Sequence, residues 1–415
     1  MIKAFLPTMA VAVLISTLAC QHQNNTANSS TKQDTTTMEG TFGYDVDFLK
    51  KQKEVILLQA PDNPMAQAVL VPDYQGRVMT STAGGTDGGS YGWLNYAHIS
   101  SGKHTPHMNA YGGEERFWLS PEGGQYSVYF EKGKAFTFDN WQTPPLIDSE
   151  PFEVVQSNAS SALFRKSAQL DNYSGTRFTF DIERQISMLD KGTIQDRLGI
   201  TLPDQVKSVA YESRNTLINR GDDWTKEKGV LGIWIMGMFK PTEKTTIIAP
   251  IDKQRSVQLL LTDNYFGKIP GERLRVTDTA VLLNADGKYR SKIGLAPQSA
   301  RPVAGSYDAE KGILTVVQYD LNPEGDYLKS SWEIHQEPYQ GDALNAYNDG
   351  PLEDGSQMGP FYELESNSSV KALKKGESLV HRHRTFHFEG DKKLLADIAT
   401  KVLGVDLSTL EGNSK

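Results

Sequence analysis

The chain has 415 residues and a formal net charge of −8, from 43 Lys and Arg against 51 Asp and Glu. Binding to nucleic acid or to anionic lipid needs a positive surface, so this balance argues against both kinds of partner. The one cysteine stands at position 20, and the 36 glycines and 17 tyrosines are typical of a turn-rich β protein.

The first 20 residues have the layout of a secretory signal, with an apolar run from Met9 to Leu18. Ala19 and Cys20 resemble a bacterial lipobox in which Cys20 is lipidated, although Thr17 stands where leucine is usual. The alternative is a plain signal peptide that is cleaved near Ala19. We expect a signal peptide with a lipobox over residues 1–20, and a lipid anchor that holds the protein in the cell envelope.

Residues 21–39 are rich in Asn, Thr, Ser and Gln and bury too little apolar area to fold, which predicts a disordered tether. No acidic cluster follows the cysteine directly, and this favours an outer-membrane protein that faces the periplasm. Residues 40–405 are predicted to form one β domain, with a tail at 406–415.

The body of the chain alternates apolar and polar residues with period two, most clearly over Thr176–Ile186. Similar runs predict strands at Val55–Leu58, Ala68–Val71, Gln125–Phe130, Phe152–Val155, Val257–Leu261, Ile313–Tyr319 and Ser331–His335. One helix is predicted after the capping residue Asp391, and it ends at Gly404. We therefore expect an all-β protein of antiparallel sheets packed face to face, with a short C-terminal helix.

Residues 363–388 carry the most specific motif. Leu364-Glu365-Ser366 opens one strand, a Leu-Lys-Lys-Gly-Glu-Ser turn follows at 373–378, and residues 380–388 form a second strand. This segment resembles the C-terminal strand pair of the galactose mutarotase (aldose 1-epimerase) superfamily, in which a Leu-Glu-Thr strand carries the catalytic glutamate. Weaker similarity lies at residues 68–80, 109–113 and 214–221. The resemblance implies a galactose mutarotase-like β supersandwich, a carbohydrate ligand and Glu365 as the base.

The sequence departs from the superfamily at both usual histidines. In such enzymes the glutamate takes the proton of the anomeric hydroxyl while a histidine protonates the ring oxygen. Tyr111 stands where one histidine is expected, and residues 215–219 contain none. His107, or the neighbouring His104, is a substitute if its loop enters the site; otherwise both are solvated loop residues. Binding or altered chemistry is therefore favoured over ordinary epimerisation.

The substrate-binding candidates come from three segments. Asn109 belongs to the matched segment 109–113, and Arg116 and Trp118 follow it, combining a charge with an aromatic platform for a sugar ring. The alternative for these two is a buried aromatic anchor beside a surface ion pair. Glu363 shares a strand face with Glu365 as an acid–base partner, or it lies on the rim.

The polar loop predicted at 345–359 contributes Asn348 and Asp349, which either contact a ligand, bind calcium through oxygen, or belong to a plain loop. His381, His383 and His387 share one face of the last strand, which lines a cleft or faces solvent. Their spacing along a strand argues against one metal site. We expect no cofactor, with calcium as the one alternative.

Three hypotheses follow. The protein binds or modifies a sugar through Glu365, as an epimerase-like isomerase if it is an enzyme. Alternatively, it is a lyase on acidic glycans, with Arg116 or a metal neutralising the uronate and Tyr111 or His107 as base. Thirdly, it is a non-catalytic component of the envelope. The first reading predicts that Glu365, Tyr111 and Arg116 share one pocket.

Overall fold

Alternating apolar and polar residues produce a protein whose regular secondary structure is mostly β-strand. The computed structural model describes residues 38–255 and 258–410. The predicted signal peptide, lipobox and nearly all of the tether lie outside the described residues. Within the described part of the chain, no helix is both long and apolar enough to cross a membrane.

The described residues contain five helices and nineteen strands. The helices are α1 Phe42–Gln52, α2 Tyr96–Ser101, α3 Pro145–Asp148, α4 Lys191–Leu198 and α5 Lys392–Leu403. The strands are β1 Ile56–Ala60, β2 Asn63–Val71, β3 Arg77–Thr82, β4 Arg116–Ser120, β5 Glu153–Ser157, β6 Ser161–Asp171, β7 Arg177–Met188, β8 Lys207–Asn219, β9 Gly232–Phe239, β10 Thr245–Pro250, β11 Leu261–Thr262, β12 Leu274–Val276, β13 Ala280–Asn284, β14 Ser291–Leu295, β15 Val303–Asp308, β16 Ile313–Tyr319, β17 Leu344–Asn348, β18 Tyr362–Asn367 and β19 Ser378–Glu389.

The strands form three sheets. The order is β12-β13-β10-β15-β16-β19-β8-β7-β6-β5 in a ten-stranded sheet, β11-β14-β17-β18-β9-β4 in a six-stranded sheet and β1-β2-β3 in a third. The neighbouring strands pair antiparallel. The six- and ten-stranded sheets enclose an apolar core that includes Phe239, Leu344 and Leu364 from one sheet and Ile247 and Val317 from the other.

Helix α5 packs on the far side of the ten-stranded sheet. Leu395 and Ile398 are buried with Phe386 of β19. The carboxylate of Asp391 accepts a 2.9 Å hydrogen bond from the backbone N–H of Lys393, and Gly404 ends the helix in the left-handed conformation. The predicted all-β class and C-terminal helix are therefore confirmed. The other helices were not predicted.

Two predicted strands are wrong for a physical reason. Gln125–Phe130 and Ser331–His335 form turns and bends. The Gln125 amide donates to the carbonyl of His335 at 2.8 Å and accepts from its N–H at 3.0 Å, so side-chain bonds replace a strand ladder. In Val257–Leu261, only Leu261 belongs to a strand among the described residues. The predicted loop at 345–359 begins instead inside β17.

Candidate functional site

One face of the six-stranded sheet carries charged side chains from three of its strands. Glu365 of β18 lies opposite Met236 of β9, which lies opposite Arg116 of β4. On the other side, Glu363 lies opposite Tyr347, which lies opposite Lys292 of β14. Directly opposed residues point to the same side of a sheet. We call the side that carries Arg116, Lys292, Glu363 and Glu365 the polar face.

Glu365 is held in place by one of its two carboxylate oxygens. Its Oε2 accepts hydrogen bonds from the Lys292 ammonium and the Trp234 indole N–H, both at 3.0 Å. The residue is 0% exposed, and among the described residues its Oε1 has no hydrogen-bond partner. A buried acceptor without a partner is costly, so this oxygen is suited to receive a donor from a bound molecule or from water.

Glu363 pairs with the Arg116 guanidinium, and both side chains are almost entirely buried. Burial raises the pKa of the Glu363 carboxyl to about 7; Arg116 opposes this shift, and the neighbouring Glu365 adds to it. Glu363 and Glu365 are two residues apart on the strand, or about 7 Å between Cα atoms. The polar face thus combines a carboxylate fixed by a lysine with a carboxyl that exchanges its proton near neutral pH.

Two tryptophans accompany these charges. Trp118 and Trp234 meet edge to face with ring centroids 5.6 Å apart. The Arg116 guanidinium lies 4.7 Å from the Trp118 ring, and the Lys292 ammonium lies 4.9 Å from the Trp234 ring. The alternation in β4 and β9 places both indoles on the same side as the charged residues. The arrangement of aromatic rings beside carboxylates is typical of carbohydrate sites.

Three further acids border the polar face. Glu122 accepts from the Trp332 indole N–H at 3.2 Å, Asp342 accepts from the Tyr265 hydroxyl, and Asp349 accepts from the Tyr347 hydroxyl at 2.5 Å. Burial raises the pKa of all three carboxyls above the ordinary range. In the described part of the chain, no group of three or more His, Cys, Asp or Glu side chains is arranged to hold a metal ion.

Three aromatic side chains pack over Trp118 of the polar face, two of them, Tyr129 and Trp332, from segments that were predicted as strands. The Trp141 ring lies 6.5 Å from Trp118, stacks on Tyr129 at 6.1 Å and stacks on Trp332 at 5.9 Å. We call Tyr129, Trp141 and Trp332 the aromatic cover. The Lys292 side chain on the polar face is 14% exposed. Two open depressions, of about 590 and 530 Å³, lie elsewhere in the described structure.

The structure brings four of the predicted site residues together. Glu363, Glu365, Arg116 and Trp118 all lie on the polar face. Asp349 borders it through Tyr347. The proposed rim position of Glu363 is not observed, since its side chain is only 8% exposed.

Other predicted residues serve the framework. Tyr111 stacks on Tyr74 at 4.0 Å in an aromatic cluster against α1, so its predicted convergence with Glu365 and Arg116 is not observed. Asn109 donates to Asp148 from its backbone at 3.0 Å and from its side chain at 2.6 Å. Asn348 bonds the turn at Gly287 and Tyr289. These polar groups are already satisfied within the protein.

His107 lies at the edge of the aromatic cover. Its Nδ1 is 2.6 Å from the carbonyl oxygen of Trp141, and its ring packs 4.4 Å from that of Phe138. His381 and His383 lie on the opposite, inner side of β18, where both bond the Ser366 hydroxyl, at 2.8 and 2.9 Å. The histidines of β19 therefore line neither the polar face nor the solvent.

The sequence did not reveal Lys292 and Trp234. Lys292 stands in Ser-Lys-Ile-Gly-Leu, where a charge in a short apolar strand is the only signal. Trp234 stands in Gly-Ile-Trp-Ile-Met-Gly-Met, an apolar run whose alternation is hidden because both of its faces are buried. Each becomes visible only when the sheet order is known.

The fold and the site define an antiparallel β-sandwich protein with a paired-carboxylate site on its smaller main sheet. The chain belongs to a family of unknown function, DUF6786, whose model matches residues 40–414. A comparison with curated protein sequences finds no match.

Solved structures similar to the chain include three bacterial proteins. The Slr1438 protein of Synechocystis sp. PCC 6803 is 16% identical, with 82% of this chain and 96% of that chain covered and a TM-score of 0.48. A candidate aldose 1-epimerase of Escherichia coli K12 is 10% identical, with 81% and 100% covered and a TM-score of 0.48. A galactose mutarotase related enzyme of Lactobacillus acidophilus is 10% identical, with 81% and 98% covered and a TM-score of 0.45. These likenesses concern the fold alone.

Proposed function

We propose that the protein binds a carbohydrate on the polar face, with Glu365 Oε1 accepting a hydrogen bond from a sugar hydroxyl. The observation that carries this proposal is that the two oxygens of the Glu365 carboxylate have different environments. Oε2 is fixed by Lys292 and Trp234, whereas Oε1 is buried and has no partner among the described residues. Trp118 and Trp234 supply apolar rings for the faces of a pyranose, once the aromatic cover has moved aside.

Binding is tested by calorimetry of the full-length protein with a panel of neutral, amino and acidic monosaccharides. We expect at least one sugar to bind, and Glu365→Gln to weaken its binding about tenfold or more, because hydrogen bonds to a charged group are strong. The matched control is Glu153→Gln, which alters an exposed residue of β5 and leaves binding unchanged. Equal affinity in both variants, or no binding by any sugar, would contradict the proposal.

A second candidate function is reversible opening of the sugar ring, favoured by the Glu363 pKa of about 7 beside Glu365. In this scheme Glu365 takes the proton of the anomeric hydroxyl and Glu363 donates a proton to the ring oxygen. The C1–O bond of the ring breaks and an open-chain aldehyde forms. Rotation about C1–C2 and reversal of both proton transfers give the other anomer.

Polarimetry with a freshly dissolved single anomer of the bound sugar tests this chemistry. We expect catalysed mutarotation that declines above pH 7, as Glu363 loses its proton, and a roughly 100-fold lower kcat in Glu363→Gln. Binding without catalysis would leave the first proposal intact and exclude this one.

The geometry gives less support to the other two hypotheses. A lyase needs a cation that is free to neutralise a uronate, but Arg116 is paired with Glu363 and Lys292 with Glu365. A vestigial cleft filled with apolar side chains would not explain the buried Glu365 Oε1, which has no hydrogen-bond partner among the described residues.

We also propose that Cys20 carries a lipid that anchors the protein in the envelope, in the outer membrane facing the periplasm. The support is the signal-like sequence that precedes Cys20. Expression in a bacterial host with a labelled fatty acid tests the anchor. We expect label in the wild type and none in Cys20→Ser, and an unlabelled wild-type protein would exclude lipidation.

A further inference from the structure

The polar face has more acids than bases. Five carboxyl groups lie on or beside it, and three basic side chains accompany them. The acids are Glu122, Asp342, Asp349, Glu363 and Glu365; the bases are Arg116, Lys292 and Arg290. If all of them ionised, the polar face would carry a formal charge of −2.

Each base is already engaged. Lys292 bonds Glu365 at 3.0 Å, and Arg116 pairs with Glu363. Arg290 donates to the Tyr347 hydroxyl at 3.2 Å and lies over the Phe266 ring at 3.9 Å. The remaining acids accept from neutral donors: an indole for Glu122 and tyrosine hydroxyls for Asp342 and Asp349. Burying carboxylates without counter-charges is unfavourable, and burial accordingly raises the pKa of these three carboxyls. A positive charge on a ligand would offset the cost of ionising them.

We propose that the ligand supplies this charge and is an amino sugar, whose ammonium group lies beside Glu365 Oε1. The inference rests on the carbohydrate-binding function proposed above and names the class of sugar. The free Oε1 is a second, independent observation, because it is a fully buried acceptor directed into the acid-rich face. An ammonium donates three hydrogen bonds, one of which Glu365 Oε1 can accept.

The same observations disfavour other ligands. A uronate would add a further negative charge to a surface whose cations are taken. A neutral sugar satisfies Oε1 but leaves the excess of acid in place. A bound metal ion needs several ligands that converge on one point, and the described residues contain no such group.

Calorimetry of the full-length protein with glucosamine, galactosamine, the corresponding neutral sugars, their N-acetyl derivatives and glucuronate tests the proposal at pH 6.5. We expect an amino sugar to bind about tenfold more tightly than its neutral and N-acetylated counterparts. Glucuronate should bind most weakly. High salt should weaken this preference for the amino sugar only slightly, because salt screens a buried charge pair less than an exposed one.

A charge-removing variant isolates the electrostatic contribution. Glu122 interacts electrostatically with Glu365 and Lys292, so Glu122→Gln should reduce the ratio of amino-sugar to neutral-sugar affinity about threefold or more. Glu153→Gln is the control, and melting temperatures check that each variant folds. If neutral and amino sugars bind equally, the amino-sugar inference is overturned and carbohydrate binding stands. If none binds, both fail.

Discussion

Two groups of buried charges lie on opposite sides of β18, and they differ in how their charges are balanced. On the inner side, between the sheets, Glu115 pairs with Arg184 at 2.8 Å, and both side chains are 0% exposed. Glu114 accepts from Ser81 Oγ at 2.8 Å and from the Tyr211 hydroxyl at 3.2 Å, and its Oε2 lies 3.2 Å from His387 Nε2. We call these residues, with His381 and His383, the inner group. On the outer side, the polar face keeps Glu365 Oε1 unbonded.

The pKa values of Glu114 in the inner group and Glu363 on the polar face shift in opposite directions. Burial raises the pKa of Glu114, but His387 and Ser81 outweigh it and hold the pKa below the ordinary value. On the polar face, burial prevails and the pKa of Glu363 rises to about 7. Glu115 of the inner group does not follow this contrast, because burial also raises its pKa and neither of its carboxylate oxygens has a hydrogen-bond partner among the described residues. Burial alone therefore does not separate the two groups, and Glu114 and Glu363 differ in the partners that offset it.

The largest expected effect comes from breaking the inner group. Arg184→Met leaves Glu115 buried without its cation, and we expect a loss of about 3–5 kcal/mol in the free energy of unfolding. Urea denaturation measures this loss. The control is Arg165→Met on the neighbouring strand, where the Arg165–Glu183 pair is partly exposed and the loss should be much smaller because water screens the pair. Similar losses in both variants would show that the inner pair contributes no more than a surface pair.

A change of pH should alter the stability contributed by the two groups in opposite directions. The folded-state pKa of Glu363, about 7, lies above its unfolded value of about 4.5, so the folded protein binds the extra proton between these values. Its contribution to stability therefore falls by roughly 1.4 kcal/mol per pH unit as the pH rises through this window. Between pH 4.5 and 7, the free energy of unfolding of Glu363→Gln should therefore rise by about 3 kcal/mol relative to that of wild type. Parallel stability curves would contradict the raised pKa.

The stability contributed by the inner group should change with pH in the opposite direction. Burial lowers the pKa of His381 to about 4, below the ordinary value of 6.5, so the unfolded chain binds the extra proton. The stability contributed by the neutral imidazole is complete above pH 6.5 and is lost as the pH falls to 4. Between pH 6.5 and 4, the free energy of unfolding of His381→Gln should therefore fall by about 3 kcal/mol less than that of wild type. A variant that is as acid-sensitive as wild type would exclude this origin.

The sequence predicted those features that follow from local pattern. Period two located β7 and β16 almost to the residue, and the Asp391 cap with Gly404 located α5. Glu365 came from the superfamily resemblance, and strand alternation alone joined Glu363 to it. In each case the physical cause acts over a few residues of the chain.

The rest depends on long-range order. Lys292 meets Glu365 across 73 positions because β17 lies between β14 and β18, an arrangement that no local pattern encodes. The segment around Tyr129 has strand-like alternation but folds over Trp118, because side-chain bonds satisfy its backbone. Tyr111 occupies the expected chain position, yet its ring packs on Tyr74. Position in a motif did not determine where that side chain points.

The smallest expected effect comes from removing one tyrosine hydroxyl on each side of β18. Tyr211→Phe removes a donor to Glu114, and Tyr265→Phe removes a donor to Asp342, with the same loss of one oxygen atom. Glu114 is held ionised in full burial, so we expect Tyr211→Phe to cost about 1.5–3 kcal/mol in urea denaturation. Burial already raises the pKa of Asp342, and a carboxyl that takes up a proton more readily tolerates the missing donor, so Tyr265→Phe should cost less than about 1 kcal/mol at pH 6. The difference should narrow at higher pH, where Asp342 must ionise without its donor. Equal costs at pH 6 would mean that the acids of the polar face are as firmly ionised as Glu114, and that the balance of charge does not separate the two groups.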